Sequence, residues 1–470
     1  MSAEPVLVLQ LRRMGDLILT FPLLLELRRR YAGHPLWVAA DPRFFQELLP
    51  LAPESVFFPP DRLEALSRRS YAAAINLDTR PEAAACMAAL EAPLKLGPVA
   101  EGDALRVRGF WQLYRVALTR NNRHNPFHWA DLNRLDLPMR EGRDKPGAAW
   151  GRPVSRPLRQ RDGRIGLVLG ASEPAKRPDA RFWARLAGRL VRAGRTPVFL
   201  GGPAERALGE EVGRLARLPR ANLCGRLSLR EVAAVMRGLD LCITPDTGPM
   251  HLADWLGVPV LNLSMGPVHA RETGPVSPGQ WVLRAAMSCV GCWTCQRSRL
   301  FCKAAFTPEG VARAVQAVLE QPRRITGDEA WPGLQLLRTG RDELGLSALT
   351  PVGASPSVGG LLENFWQGAF LAFSSGDFVP LLQRRATELV IARPALAARL
   401  RAGVGRLLTT WARQGRRSLA EDSWTVQPPL VRIFAGHAQM TLQNEDHSTA
   451  AWHRVLERAE QLHAALAAAS

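Results

Sequence analysis

Residues 239–264 read LDLCITPDTGPMHLADWLGVPVLNLS, and the order of patterns in them sets the class of the fold. The run LDLCITP is short and apolar and ends in turn residues, as a buried strand does. GPMHLADWLG then reads as a short helix and VPVLNLS as a second buried strand. The first strand meets the helix through Pro245, Asp246, Thr247 and Gly248. Pro249 stands near the first helical position, where its missing N–H has no bond to lose. Two buried strands joined by one helix form a parallel unit, and a parallel sheet is covered on both faces.

The same alternation extends in both directions. Toward the N-terminus, RIGLVLG (164–170) is a strand and RPDARFWARLAGRLVRAG (177–194) a helix with Phe182, Leu186 and Leu190 at helical spacing. TPVFLGG (196–202) is the next strand, followed by the helix PAERALGEEVGRLARL (203–218) and a short strand around Leu223. In SLREVAAVMRG (228–238), Ser228 and Glu231 occupy capping-box positions. TPEGVARAVQAVLEQ (307–321) closes the set as a helix.

A second set opens the chain, with strands over 6–11, 35–40 and 73–77 and a helix running to about Tyr31. A less regular, arginine-rich region extends to about Asp162, and RPVSRPLRQRDGR (152–164) reads as an inter-domain linker. SALTPVGASPSVGG (347–360) reads as another linker, with helical patterns beyond it at 394–417 and 447–470 and no clear strand alternation. The expectation is an α/β chain of two Rossmann-like domains facing a cleft (1–162 and 163–330), with a linker and α-helical extension over 331–470.

Composition narrows the class. The chain has 470 residues, 47% hydrophobic and 22% charged, enough for two or three domains with a substantial core. The run at 6–11 is too short for a signal peptide and meets Arg12 and Arg13 at once; no apolar run is long enough to span a bilayer. A cytoplasmic protein is expected, with its seven cysteines mostly reduced or bound to metal. The formal net charge of +18 favours anionic partners such as phosphorylated substrates, acidic lipid surfaces or nucleic acid, although an arginine-rich composition alone also produces it.

The turns carry the chemistry. Free N–H groups and the positive helix end at the Asp246–Thr247–Gly248 turn would stabilise a phosphate, and Gly248 leaves room for close approach. Asp and Thr there also suit an ordinary helix cap. In GLVLGASEPAKRPDARFW, Lys176 falls just before a helix start, a position that opposes the dipole unless an anion sits there. Ser172 could donate to the same anion. Near the N-terminus, Asp16 follows Arg12, Arg13 and a glycine, and reads either as a helix cap or as a base.

MGDLILTFPLL (14–24), GASEPAKRPDARFWARLAGRL (170–190) and PDTGPMHLADWLGVPVLNL (245–263) together resemble the bacterial heptosyltransferases of lipopolysaccharide core assembly, glycosyltransferase family 9. The resemblance covers roughly residues 5–322. It implies the GT-B fold, with the acceptor on the N-terminal domain and the sugar nucleotide on the C-terminal one. It makes Asp16 the general base of an inverting transfer, and Lys176 with the amides of Thr247 and Gly248 the group that stabilises the leaving diphosphate without a divalent metal. Asp246 organises that turn or contacts the donor, Glu205 matches a ribose-binding acid, Leu227 an apolar contact to the base, and His251 a donor contact or a packing residue. Arg12, Arg13, Arg80 and Arg123 are acceptor candidates for acidic sugars or phosphates. The implied activity is heptose transfer from ADP-heptose to a lipid-linked acidic oligosaccharide at the cytoplasmic membrane face, with peripheral contact to that membrane and no nucleic-acid partner. Another nucleotide-sugar enzyme of the same fold, or a non-catalytic binding module, are the alternatives.

SCVGCWTCQRSRLFCK (288–303) places Cys289, Cys292, Cys295 and Cys302 in a C-x2-C-x2-C-x6-C array. No cofactor is expected for the reaction, but this spacing suits a structural zinc and, with less support, an iron–sulfur cluster. Cys86, Cys224 and Cys242 sit in apolar contexts and read as core residues.

Overall fold

A computed structural model describes residues 3–138, 163–289, 291, 292, 295, 297–320, 332–353, 357–414 and 422–469. The linker expected at 152–164 lies, except for its last two residues, outside them. Strands β1 (Val6–Leu9), β2 (Leu36–Ala39), β3 (Val56–Phe58), β4 (Ala73–Asn76), β5 (Lys95–Glu101) and β6 (Ala104–Arg108) form one sheet in the order β3-β2-β1-β4-β5-β6. Only the β5–β6 pair is antiparallel. Strands β7 (Arg164–Val168), β8 (Thr196–Leu200), β9 (Leu241–Pro245), β10 (Val260–Ser264), β11 (Trp281–Ala285), β12 (Leu334–Arg341) and β13 (Ser347–Pro351) form the other, ordered β13-β12-β11-β10-β9-β7-β8. Strands β1, β4, β9 and β10 are buried along their whole length, which is why they read as unbroken apolar runs.

Strand order reverses between β1 and β4 in the first sheet and between β7 and β9 in the second. Ligands of open α/β sheets bind at such switch points, beyond the carboxyl ends of the strands. The segments that follow those four strands, loops and first helical turns together, contain Arg12 to Asp16, Asp78 to Arg80, Ser172 to Lys176 and Asp246 to Gly248.

Three features depart from the sequence reading. The strand expected near Leu223 is a single bridge between Phe199 and Asn222. The irregular region before 138 contains the β5–β6 hairpin and the helix Phe110–Ala117. Residues 347–351, read as linker, are β13, which with β12 adds an antiparallel hairpin to the second sheet. Thr339 anchors that hairpin, its hydroxyl donating to the Ser277 carbonyl at 2.6 Å and accepting from the Gln280 N–H at 2.8 Å. Those partners lie some sixty residues away in sequence, so local pattern does not announce the strand.

The C-terminal helices Val358–Ser374, Val379–Ala392, Pro394–Gln414, Arg432–Asn444 and Thr449–Ala468 enclose a core of Trp366, Phe370, Phe434 and Leu462. That core also takes in Trp111, Tyr114 and Phe127 of the first lobe. Asn444 exchanges two hydrogen bonds with the Val107 backbone at 2.6 and 3.0 Å, and Arg271 donates to Glu363 at 2.7 Å. The helical domain therefore touches both lobes.

Candidate active site

The two lobes meet where two helices begin. Met14–Arg30 starts after Arg13 and Gly248–Trp255 after Thr247, and at neither start does a side chain cap the free N–H groups. Both positive helix ends thus keep donors available for an anion. Two glycines permit the approach. A Cβ on Gly15 would stand 2.9 Å from His251 Cδ2 and 3.6 Å from Gly248 Cα, and one on Gly248 would stand 2.4 Å from Met14 Cε. Farther along, Phe21 and Trp255 meet edge-on at 5.1 Å, and the Trp255 indole donates to the Leu51 carbonyl at 2.8 Å.

Asp16 lies in the first turn of its helix, where a carboxylate favours the dipole. Burial raises its pKa, against the lowering effect of Arg115, Arg13 and Arg12 and of the Arg13 backbone N–H. No side chain donates a hydrogen bond to it among the described residues. It is a partly desolvated carboxylate held ionisable by three guanidinium groups, which is what a base in a closed cleft needs.

Arg12 and Arg80 converge on Asp78, which is fully buried at the end of β4. Arg12 Nε lies 3.4 Å and Arg80 Nε 3.3 Å from its oxygens, and the Arg80 N–H donates to it at 2.9 Å. Arg12 also reaches the Thr79 hydroxyl. Arg13 faces Asp16 across its own turn. Arg123 stands apart from this group, donating to the Ser288 carbonyl at 3.0 Å beside the cysteine loop. The structure therefore gathers three of the four acceptor candidates and places the fourth elsewhere.

On the other lobe, Asp246 accepts from the Thr273 hydroxyl at 2.6 Å. Burial pushes its pKa up to about 6, opposed by the Thr273 bond and by Lys176, and reinforced by Asp16. Lys176 pairs with Glu173 at 3.1 Å. It belongs to a short turn, Pro174–Lys176, that ends before the N-cap Asp179 of helix Ala180–Arg192, so the expected conflict with that helix's dipole does not arise. The turn rests on Gly266, whose φ of +76° and absent Cβ, which would fall 2.3 Å from the Ala175 carbonyl, admit only glycine.

Glu205 caps its own turn, accepting from the Gly202 N–H at 2.9 Å, and lies 3.8 Å from Arg177. Its side chain packs where Gly170 and Gly201 have none. Ser172 is exposed on the loop after β7, and Leu227 is half-buried against the core between the lobes. His251 is buried against Gly15, and burial brings its pKa down to about 3, so it is neutral and fills the lobe junction.

Four groups escaped the sequence reading. Asp78 lies in the loop after β4, and Thr273 ends the short helix Ala270–Thr273. Arg115 sits in the helix Phe110–Ala117, donates to the Leu77 carbonyl, and has its pKa brought down to about 10 by burial. Glu272 accepts from Asn125 at 3.1 Å, and burial pushes its pKa up to about 7. Of these, only Asp78 carried a signal, since NLDTRP repeats the strand-then-acid order of the Asp16 segment.

The four clustered cysteines are free thiols that line one cavity. Cys302 is buried in the helical turn Phe301–Ala304, whereas the other three lie on the loop before it. Among the described residues no group of three or more His, Cys, Asp or Glu is placed to hold a metal ion, so this arrangement does not fit the expected zinc.

Two Rossmann-like lobes facing one another define the GT-B class, and here a helical domain is appended at the C-terminal end. The chain belongs to glycosyltransferase family 9 (heptosyltransferase), whose profile matches residues 62–300. It is 34% identical over 168 residues to lipopolysaccharide heptosyltransferase 1 of Pseudomonas aeruginosa, covering 32% of this chain and 45% of that protein. It is 28% identical over 173 residues to lipooligosaccharide heptosyltransferase 2 of Campylobacter jejuni, covering 35% and 54%. The chain thus matches about half the length of these curated relatives. Among solved structures, ADP-heptose lipopolysaccharide heptosyltransferase II of E. coli aligns with a TM-score of 0.50 at 20% identity, over 68% of this chain and 99% of that one. The family 9 glycosyltransferase of Veillonella parvula aligns with 0.51 at 20% identity, over 68% and 98%. These two likenesses concern the fold.

Proposed function

We propose that this chain is an inverting glycosyltransferase that moves heptose from ADP-heptose to the inner core of lipopolysaccharide. The observation that carries the reading is the convergence of Asp16 and the Asp246–Thr247–Gly248 turn at the Gly15–Gly248 contact. In this reading residues 1–162 bind the acceptor and residues 163–330 the donor. Asp16 takes the proton of the acceptor hydroxyl as its oxygen bonds to the anomeric carbon, and the bond from that carbon to the diphosphate oxygen breaks. The leaving diphosphate is stabilised by Lys176 and the N–H groups of Thr247 and Gly248, with Ser172 beside them, so the step uses no divalent cation. Asp246 holds the turn through Thr273, Glu205 and Leu227 border the nucleoside, and His251 fixes the lobe junction. Arg12, Arg13 and Arg80 meet the acidic acceptor, and the chain works at the inner face of the cytoplasmic membrane as a peripheral protein. No helix of the described residues is long and apolar enough to cross a membrane.

Calorimetric titration with ADP, UDP and GDP, repeated on Lys176→Ala, tests the donor. Selective ADP binding weakened by the substitution is the expected result, with transfer to a core acceptor unaffected by a chelator. Selective UDP or GDP binding would replace the sugar nucleotide, and no binding of any would overturn the reading.

A further inference from the structure

A cavity of about 710 Å³ opens between residues 120–124 of the first lobe, the cysteine loop that leaves β11, and the segment leading into helix Arg432–Asn444. Among the described residues, Arg120, Arg123, Arg297 and Arg432 line it. None of the four is ion-paired to a carboxylate among the described residues, whereas arginines elsewhere, such as Arg189 with Glu309 and Arg385 with Glu388, are. Arg123 is held by its bond to the Ser288 carbonyl, and its Nε is buried without a partner. Arg432 donates to the Gln427 carbonyl at 2.6 Å. Such backbone bonds orient a guanidinium without neutralising it.

The other described groups on the wall offset only part of this charge. Asp422 is the only carboxylate among the described lining residues, and burial brings the His124 imidazole down to about 4, so it is neutral at pH 7. Arg120 and Asp422 hold left-handed backbone conformations, with φ of 60° and 58°, uncommon for side chains of this kind and recurrent at binding sites. Like charges gathered in one concave wall and outnumbering the carboxylate there are an anion site.

We infer that this cavity is a second anion site that receives a phosphate group of the saccharide acceptor, and that Arg432 brings the helical domain into acceptor recognition. The inference rests on the proposed transfer reaction for the identity of the ligand. The cysteine loop leaves the carboxyl end of β11, two strands from the β9 turn and on the same edge of the sheet. One wall separates the cavity from the donor turn. Asn122 faces the cavity and hydrogen-bonds Glu272, and the adjacent Thr273 holds Asp246. Arg432 lies beyond the residues matched by the family profile, so the helical domain adds a charge that the two lobes alone lack.

The test is calorimetric titration of the full chain with inorganic pyrophosphate in saturating ADP, which occupies the donor site. Pyrophosphate is expected to bind, and Arg120→Gln and Arg297→Gln, both at exposed positions that leave the fold intact, should each weaken it by about tenfold with ADP affinity unchanged. Absence of binding, or equal binding by wild type and the double variant, would overturn the site. In transfer assays Arg432→Gln should raise KM for a phosphorylated acceptor with kcat unchanged and leave KM for the same acceptor stripped of phosphate untouched. An equal effect on both acceptors would overturn the phosphate assignment. If ADP does not bind at all, the transferase reading fails, while pyrophosphate titration of the same variants without ADP still decides whether the cavity is an anion site.

Discussion

Asp16 and Asp246 occupy matching places in the two lobes, each just past a buried parallel strand and at the entrance to a helix, yet their surroundings differ. Asp16 accepts a hydrogen bond from the Arg13 backbone N–H but from no side chain among the described residues, and faces three arginines. Asp246 is tied to the Thr273 hydroxyl and faces one lysine. Burial raises both, and the charge on Asp16 raises Asp246 further. A carboxylate held only by the backbone of its own turn and ringed by cations can receive a proton from a substrate. A tethered one holds the loop beside it. The same residue on the same local architecture is thus suited to chemistry in one lobe and to positioning in the other, through neighbours distant in sequence.

Substitution of each carboxylate tests this contrast most directly. Asp16→Asn should lower kcat by about 10²–10⁴-fold with ADP affinity unchanged, whereas Asp246→Asn should weaken ADP binding and lower kcat by only about tenfold. Steady-state kinetics with calorimetry reads both, and the reverse pattern would exchange the two roles. Next in size is the support of the donor turn. Gly266→Ala forces a left-handed residue against the Ala175 carbonyl and should cost about 3 kcal/mol, while Gly248→Ala meets only the flexible end of Met14 and should cost less than about 1 kcal/mol. Thermal melts of the two variants make the comparison.

Protonation sharpens the contrast further. Glu272, pushed from 4.5 to about 7 by burial, binds its proton more tightly in the fold than in the unfolded chain, so stability falls as pH rises across that window. Glu272→Gln should therefore be more stable than wild type at pH 8 by about 1–3 kcal/mol and no more stable near pH 4, as followed by melting temperature. The smallest effect concerns Asp16 itself. Its raised pKa places the acid limb of kcat above the ordinary aspartate range, and activity is lost as pH falls through it. Arg115→Gln removes the largest lowering charge and should move that limb to higher pH; a limb that stays in place would detach Arg115 from the base.

Much of the fold was legible because parallel strands are short apolar runs and their helices carry local stop and start signals. The Ser228–Glu231 capping box is present as read, with the Ser228 N–H donating to the Glu231 carboxylate at 2.8 Å. Asp16, Lys176 and the Asp246 turn could be picked out for the same reason, since each lies beside a strand end. The β12–β13 hairpin could not, because Thr339 and the residues that anchor it are far apart in the chain. Arg115 falls in the region read as less regular and Glu272 in a stretch given no element, and neither stands out until burial gives it a role. Spacing brings the four cysteines to one cavity, but among the described residues they are not placed as a metal-holding group.

The sequence by itself determined the strand–turn–helix units, the acids and glycines at their joins and the cationic balance, all of which depend on neighbours within a few residues. Only the tertiary structure decided that Gly15 would face Gly248, that Arg12 and Arg80 would share Asp78, and that Arg123 would leave them for a cavity shared with Arg432. Local pattern follows from backbone geometry and side-chain propensity, whereas the field around a carboxylate is set by whichever charges the packing of distant segments brings within a few ångströms.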